Sequence, residues 1–257
     1  ETPMAGHSKW ANIKHRKERQ DKKKGAMWSK CSKAIMAAAR AGGPDPETNL
    51  ALRYAIDEAK YANMPKDTIK RAIEKGAGAG QGDDYEEIVY EGYGPGGTAI
   101  IVDALTDNKT RTVGDLRNIF KKAGGSLGNS GSVAFLFQTR GQIFVAGDKY
   151  DEETMMEHAL EAGAEDVQPP EPSGGAAGLW TITTEATGFQ AVKDALEAAG
   201  VEIAEATIAK IPDNTVEVRG DDARKLMNLL DAIEDNEDVQ KVYSNADIPD
   251  EELAALG

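Results

Sequence analysis

Apolar residues recur at three- and four-residue steps through the first third of the chain. Trp28, Cys31, Ile35 and Ala38 make one stripe, with Lys30 and Lys33 turned away from it. That period predicts an amphipathic helix. Gly42-Gly43-Pro44 should stop it, because glycine accepts a left-handed cap and proline cannot continue the ladder. Leu52, Ala55, Ile56 and Ala59 define a second helix, with Asp45 or Thr48 as its expected start. Pro65 opens a third, lined by Ile69, Ala72 and Ile73 up to Gly76. Three short helices joined by tight turns predict a small all-α domain.

The run from Gly76 to Gly82 has the composition of a flexible linker. Its G-x-G spacing lacks the preceding strand and following helix that a dinucleotide fingerprint requires. Beyond it the period shortens to that of strands. Strands are expected at Ile88–Tyr93 and Thr98–Leu105, a helix at Thr112–Ala123, a glycine-rich loop from Gly124 to Gly131 and a strand at Val133–Gln138. Next come a strand (Gln142–Ala146), a helix (Glu152–Ala162) and a short strand (Asp166–Gln168). After a Pro/Gly-rich loop come a strand (Leu179–Thr184), a helix (Phe189–Ala199) and a strand (Glu202–Ala209). That βαββαβ order is the ferredoxin-like pattern. A strand (Thr215–Arg219), a helix (Ala223–Ile233) and a strand (Val239–Ser244) close the chain. Ala159–Glu165 and Ala195–Glu202 echo one another as helix end, glycine cap and strand start.

The expected class is α+β and multidomain. A three-helix domain (4–80) precedes a discontinuous α/β domain (83–139 plus 210–247), into which a ferredoxin-like domain (140–209) is inserted. No apolar run reaches the roughly 18 residues of a membrane span. No apolar segment succeeds the basic start as in a signal peptide. Glu1-Thr2-Pro3, ahead of Met4, are set aside as a remnant before the true start. A single cysteine, Cys31, excludes an internal disulfide framework and fits a reducing cytoplasm.

Charge changes the picture. The 257 residues carry a net charge of −14, which taken whole argues against a nucleic-acid partner. Residues 1–80, however, hold 17 Lys/Arg against 9 Asp/Glu, and residues 81–257 hold 13 against 35. Such asymmetry points to a contact with a polyanion made by one part of the molecule. From Lys9 to Lys33 only Glu18 and Asp21 oppose ten basic residues. Closely spaced cations neutralise phosphates and release counterions, giving affinity without base reading. The expected contacts are Lys9, Lys14, Arg16, Lys17, Arg19, Lys22, Lys23 and Lys24, with Trp10 and His15 interleaved to stack or donate. A solvated charge run is the plainer reading of the same residues. A membrane-surface role lacks a bulky apolar face opposite the charges.

Thr106–Thr112 brings Lys109 and Arg111 into a short loop and is a second candidate contact. It reads equally as a helix start capped by Thr110 or Thr112. Catalytic constellations are missing: there is no P-loop, nucleophile elbow or H-E-x-x-H. Gly124–Gly131 admits a nucleotide cradle or a contact loop for a larger partner, but no P-loop lysine comes after it. His7 and His15 have no ligand-spaced companions, His158 lies in an acidic helix, and Cys31 belongs to an apolar stripe. Neither metal nor cofactor is expected.

Several segments together resemble one family. They are Met4–Lys17 (MAGHSKWANIKHRK), Asn63–Ile69 (NMPKDTI), Tyr90–Gly97 (YEGYGPGG), Leu105–Thr112 (LTDNKTRT) and Gly124–Gly128 (GGSLG). In this order they are similar to the YebC/PmpR family, and the likeness runs from Met4 to about Asp247. The resemblance implies a helical domain followed by two α/β domains. It also implies a DNA-binding transcriptional regulator or, as in the related mitochondrial translational activators, a factor acting on RNA or the ribosome. Neither role requires an active site. Promoter DNA or ribosomal or transfer RNA is the implied partner, with a protein partner open for the acidic domains.

Overall fold

The computed structural model describes residues 20–78, 84–170, 178–249 and 251–253. Two compact units emerge. One contains the described residues up to Phe137 together with those from Pro212, and the other runs from Gln138 to Ile211.

The first unit opens with three helices, α1 (Gln20–Gly42), α2 (Leu50–Tyr61) and α3 (Lys66–Ala77). Ile35, Ala39, Leu52, Ala55, Ala59, Met64, Ile69 and Ala72 are buried together, with Trp28, Cys31 and Ile56 packed at the margin. Removing a side chain such as Ile35 or Leu52 from water stabilises by about 1.5–3 kcal/mol. The expected start of α2 is corrected. Asn49, and neither Asp45 nor Thr48, caps it, accepting from the Leu52 N–H at 3.1 Å. The Asn49 amide also donates to the carbonyls of Ala38 and Gly43, both at 2.8 Å, which ties the end of α1 to the start of α2. Gly76 is also corrected: it lies inside α3, where a β-carbon would stand 2.4 Å from the Met36 carbonyl oxygen. It marks the close crossing of α3 over α1. Gly76 and Ala77 therefore belong to the helix and not to a linker.

The same unit continues with β1 (Glu86–Tyr93), β2 (Ala99–Thr106), α4 (Lys109–Lys122) and β3 (Ser126–Leu127). After the excursion into the second unit come β8 (Val216–Glu217), α7 (Gly220–Glu234), β9 (Val239–Ser244) and β10 (Ala246–Asp247). The main sheet has the order β3-β1-β2-β9, and β10 pairs with β8. β1 and β2 are antiparallel from Glu86↔Thr106 to Tyr93↔Ala99. Central β2 is buried at every residue but half-buried Asp103, as a strand covered on both faces must be. Leu116 and Phe120 of α4 and Leu226, Leu229 and Ile233 of α7 complete the core.

The second unit contains β4 (Phe137–Ala146), α5 (Glu152–Ala162), β5 (Asp166–Gln168), β6 (Leu179–Glu185), α6 (Phe189–Ala198) and β7 (Ile203–Pro212), whose end strands reach its borders. Its sheet order β5-β6-β4-β7 is ferredoxin-like, on a core that includes Ile143, Met155, Ile182, Phe189 and Leu196. Both halves of the internal echo end in a left-handed glycine, Gly163 (φ 86°) and Gly200 (φ 82°). One expectation fails at the entrance to this unit. The two strands expected at Val133–Gln138 and Gln142–Ala146 are one strand beginning at Phe137, preceded by a short 3-10 turn at Ala134–Leu136. Gly141 does not break the strand. It lies where a β-carbon would meet the Thr184 hydroxyl at 2.3 Å and the Phe189 ring at 2.6 Å.

Candidate nucleic-acid interface

Of the expected arm contacts, Lys9, Trp10, Lys14, His15, Arg16, Lys17 and Arg19 lie outside the described residues. Lys22, Lys23 and Lys24 fall in the first turns of α1, which therefore begins inside the basic run. Lys24 is exposed; the side chains of Lys22 and Lys23 are not described. Further along the same region, Lys66, Lys70, Arg71 and Lys75 of α3 are all exposed, opposite the buried Ile69 and Ala72. Of these four, only Lys70 has a nearby carboxylate among the described residues, Glu74 at 3.9 Å.

The remaining lysines of α1 behave differently. The Lys30 ammonium donates to the Glu234 carbonyl at 2.5 Å, at the last turn of α7. There the carbonyls lack helical partners and the helix dipole favours positive charge. Lys33 donates to the Glu237 carbonyl and to Asp238 Oδ1, both at 3.0 Å, and lies over the Tyr85 ring. These lysines do turn away from the helical core, as the stripe requires, but toward the α/β layer.

Asp238 is 3% exposed and is the hub of this junction. Arg111 donates to it from Nη2 at 2.8 Å and also reaches Asp107 at 2.7 Å. The Thr112 hydroxyl lies 2.8 Å from Asp238 Oδ2 and donates to it. Burial alone would raise the Asp238 carboxyl, but hydrogen bonds from Arg111, Thr112 and Lys33 outweigh it and hold the group below the ordinary range. Side-chain hydrogen bonds that Arg111 donates to Asp238 and Asp107 push its guanidinium above its ordinary value. The Thr106–Thr112 segment is thus a helix start, capped by Asn108 in place of Thr110 or Thr112. Lys109 pairs with Glu86, both side chains more than half exposed, so that contact is easily exchanged.

Three cations that the sequence motifs pass over complete α4. Arg117, Lys121 and Lys122 are exposed and have no carboxylate partner among the described residues. The signal that finds them is a local count. Residues 106–123 carry five Lys/Arg against two Asp/Glu, inside a segment, 81–257, that is otherwise acidic.

Elsewhere, no group of three or more His, Cys, Asp or Glu among the described residues is placed to hold a metal ion. Half-buried Cys31 has its thiol pushed up to about 11, by burial and then by Glu58, which favours the protonated thiol at neutral pH. No helix of the described residues is long and apolar enough to cross a membrane.

The chain matches two family models that divide it as the helices and sheets do. The TACO1/YebC protein N-terminal domain covers residues 8–79, and the TACO1/YebC second and third domain covers residues 85–246. The chain belongs to the TACO1/YebC family. A probable transcriptional regulatory protein of Persephonella marina is 55% identical over 94% of this chain and 95% of its own length. A second, from Dictyoglomus thermophilum, is 52% identical over 98% of this chain and its whole length. The crystal structure of a conserved hypothetical protein from Aquifex aeolicus superposes with a TM-score of 0.83. It is 46% identical and covers 93% of this chain and 97% of that one. The family's mixed architecture, helices first and α/β layers after, is the one described above.

Proposed function

We propose that this chain is a cytoplasmic, non-enzymatic regulator of gene expression that binds nucleic acid through its amino-terminal region, organised as domains 4–80, 83–139 plus 210–247, and 140–209. The observation that carries the reading is the separation of charge. The exposed cations Lys24, Lys66, Lys70, Arg71 and Lys75 extend the basic run Lys9–Lys24, while the remainder of the chain is acidic. A polyanion is attracted to this basic region and repelled by most of the acidic remainder. Promoter DNA is the leading ligand, in keeping with the names of the bacterial relatives. A second reading, a translation factor on structured RNA, draws support from α3. Its exposed Lys66, Lys70, Arg71 and Lys75 can meet backbone phosphates, and structured RNA is recognised largely by shape and backbone.

Crosslinking and recovery of co-purifying nucleic acid separate the two, with a Lys22→Ala/Lys23→Ala/Lys24→Ala variant as control. Promoter DNA lost in the variant supports transcriptional control. Ribosomal or transfer RNA lost in the variant moves the protein to translation. Recovery that ignores the variant removes the arm from the account.

A further inference from the structure

The end of α4 runs into a stretch of unusual composition. In a chain with 29% charged residues, none occurs from Ala123 to Phe137. Glycine, serine and asparagine dominate this loop, yet it is held firmly. Ser126 and Leu127 pair with Tyr93 and Gly92 of β1, and the Gly128 N–H donates to the Glu91 carbonyl at 2.8 Å. The Tyr93 hydroxyl donates to the Ser132 carbonyl at 2.9 Å.

Beneath the loop the Glu91 carboxylate, 4% exposed, accepts from the N–H groups of Gly131 (2.6 Å), Val133 (2.7 Å) and Ala134 (2.8 Å). Burial works against its charge, but these three donors prevail and hold the carboxyl below its ordinary range. The next residue, Phe135, is 71% exposed, while Val133 two places earlier is fully buried. A large aromatic is therefore presented to solvent from a turn fixed by a buried anion, and no folded-state packing accounts for it.

We propose that the carboxyl end of α4 and the 124–136 loop form a second nucleic-acid contact, in which Phe135 stacks on an unpaired base while Arg117, Lys121 and Lys122 meet the flanking phosphates. The proposal rests on the nucleic-acid reading above and deepens it. Three features fit a single-stranded polyanion. The exposed cations have no carboxylate partner among the described residues, the loop itself carries no charged side chain, and the ionised Glu91 beneath it is 4% exposed and bonded to three backbone N–H groups. Stacking on an aromatic face is tolerant of sequence, because every base has a π-face.

The test uses the full chain and fluorescence anisotropy, with labelled poly-U RNA, poly-dT DNA and a blunt DNA duplex as probes. Phe135→Ala should weaken single-strand affinity about ten-fold and leave the duplex nearly unchanged, whereas Phe135→Trp should retain it. Lys121→Ala/Lys122→Ala should lower the single-strand salt slope by about one unit. Which homopolymer responds more distinguishes an RNA from a DNA strand. If the arm variant loses affinity but both α4-loop variants bind like wild type, this inference falls and the arm reading stands. If Phe135→Ala weakens binding while the arm variant does not, the second contact stands and the arm reading falls. Absence of binding to every probe overturns both, and equal losses on duplex and single strand overturn stacking. Because Phe135 is exposed, an unchanged melting temperature is expected; where it drops, the Trp variant decides.

Discussion

Lysines about two turns apart on α1 have opposite fates. At the amino-terminal end Lys24 is exposed, in continuity with the basic run before it. Lys30 and Lys33 are drawn into a junction with Glu234, Glu237 and Asp238. The same contrast recurs on α4, where Arg111 is clasped by Asp238 and Asp107 while Arg117, Lys121 and Lys122 face water. A basic count therefore mixes two populations. One set of cations closes the fold on helix-end carbonyls and Asp238, and the other lies exposed.

The largest expected effect breaks the first population. Asp238→Ala removes the shared acceptor of Arg111, Lys33 and the buried Thr112 hydroxyl, leaving them Asp107, the Glu237 carbonyl and the Asn108 carbonyl, and should cost about 2–3 kcal/mol in urea unfolding. A loss below about 0.5 kcal/mol would show that the junction is only surface pairing. Next comes Gly76→Ala. Helix propensity favours alanine by about 1 kcal/mol, but the new methyl meets the Met36 backbone, which cannot swing aside. A net loss of about 1–2 kcal/mol is expected, and a gain in melting temperature would contradict the close crossing. Glu91→Gln should cost about 1–2 kcal/mol and speed amide exchange at Gly131, Val133 and Ala134 without altering α1–α3.

Acidity provides a smaller, graded version of the same comparison. Asp238 and Glu91 both ionise more readily in the folded chain than in the unfolded one. Their stabilisation is thus complete above the ordinary carboxylate range, about pH 4, and is lost as pH falls through their lower folded values. Urea midpoints measured from pH 6 downward should show this loss for wild type. The Asp238→Asn/Glu91→Gln double variant should show a shallower acid limb, and equal limbs would remove these two groups from the acid response.

How legible the molecule was in its sequence depended on the range of each interaction. Strands and helices set by local alternation, such as α5, β5 and β9, coincide with the bounds expected from sequence. Gly141 and Gly76 misled because a glycine at a close approach looks, in sequence, like one at a turn. The partner of Arg111 is 127 positions away, so nothing local distinguishes it from a phosphate ligand. Phe135 was hidden in an apolar run, 133–137, of which only Val133 is fully buried, its N–H held by Glu91, 42 residues upstream.

The most direct measurement of the central claim is the salt dependence of nucleic-acid affinity for two variants that each remove lysines from α1. Lys22→Ala/Lys23→Ala/Lys24→Ala should weaken binding to all sequences alike and flatten the slope of log affinity against log salt by about two to three units. Lys30→Ala/Lys33→Ala should destabilise the fold and leave that slope as in wild type. An unchanged slope in the first variant, or an equal flattening in the second, would contradict the division of these cations into one set for phosphate and one for the fold.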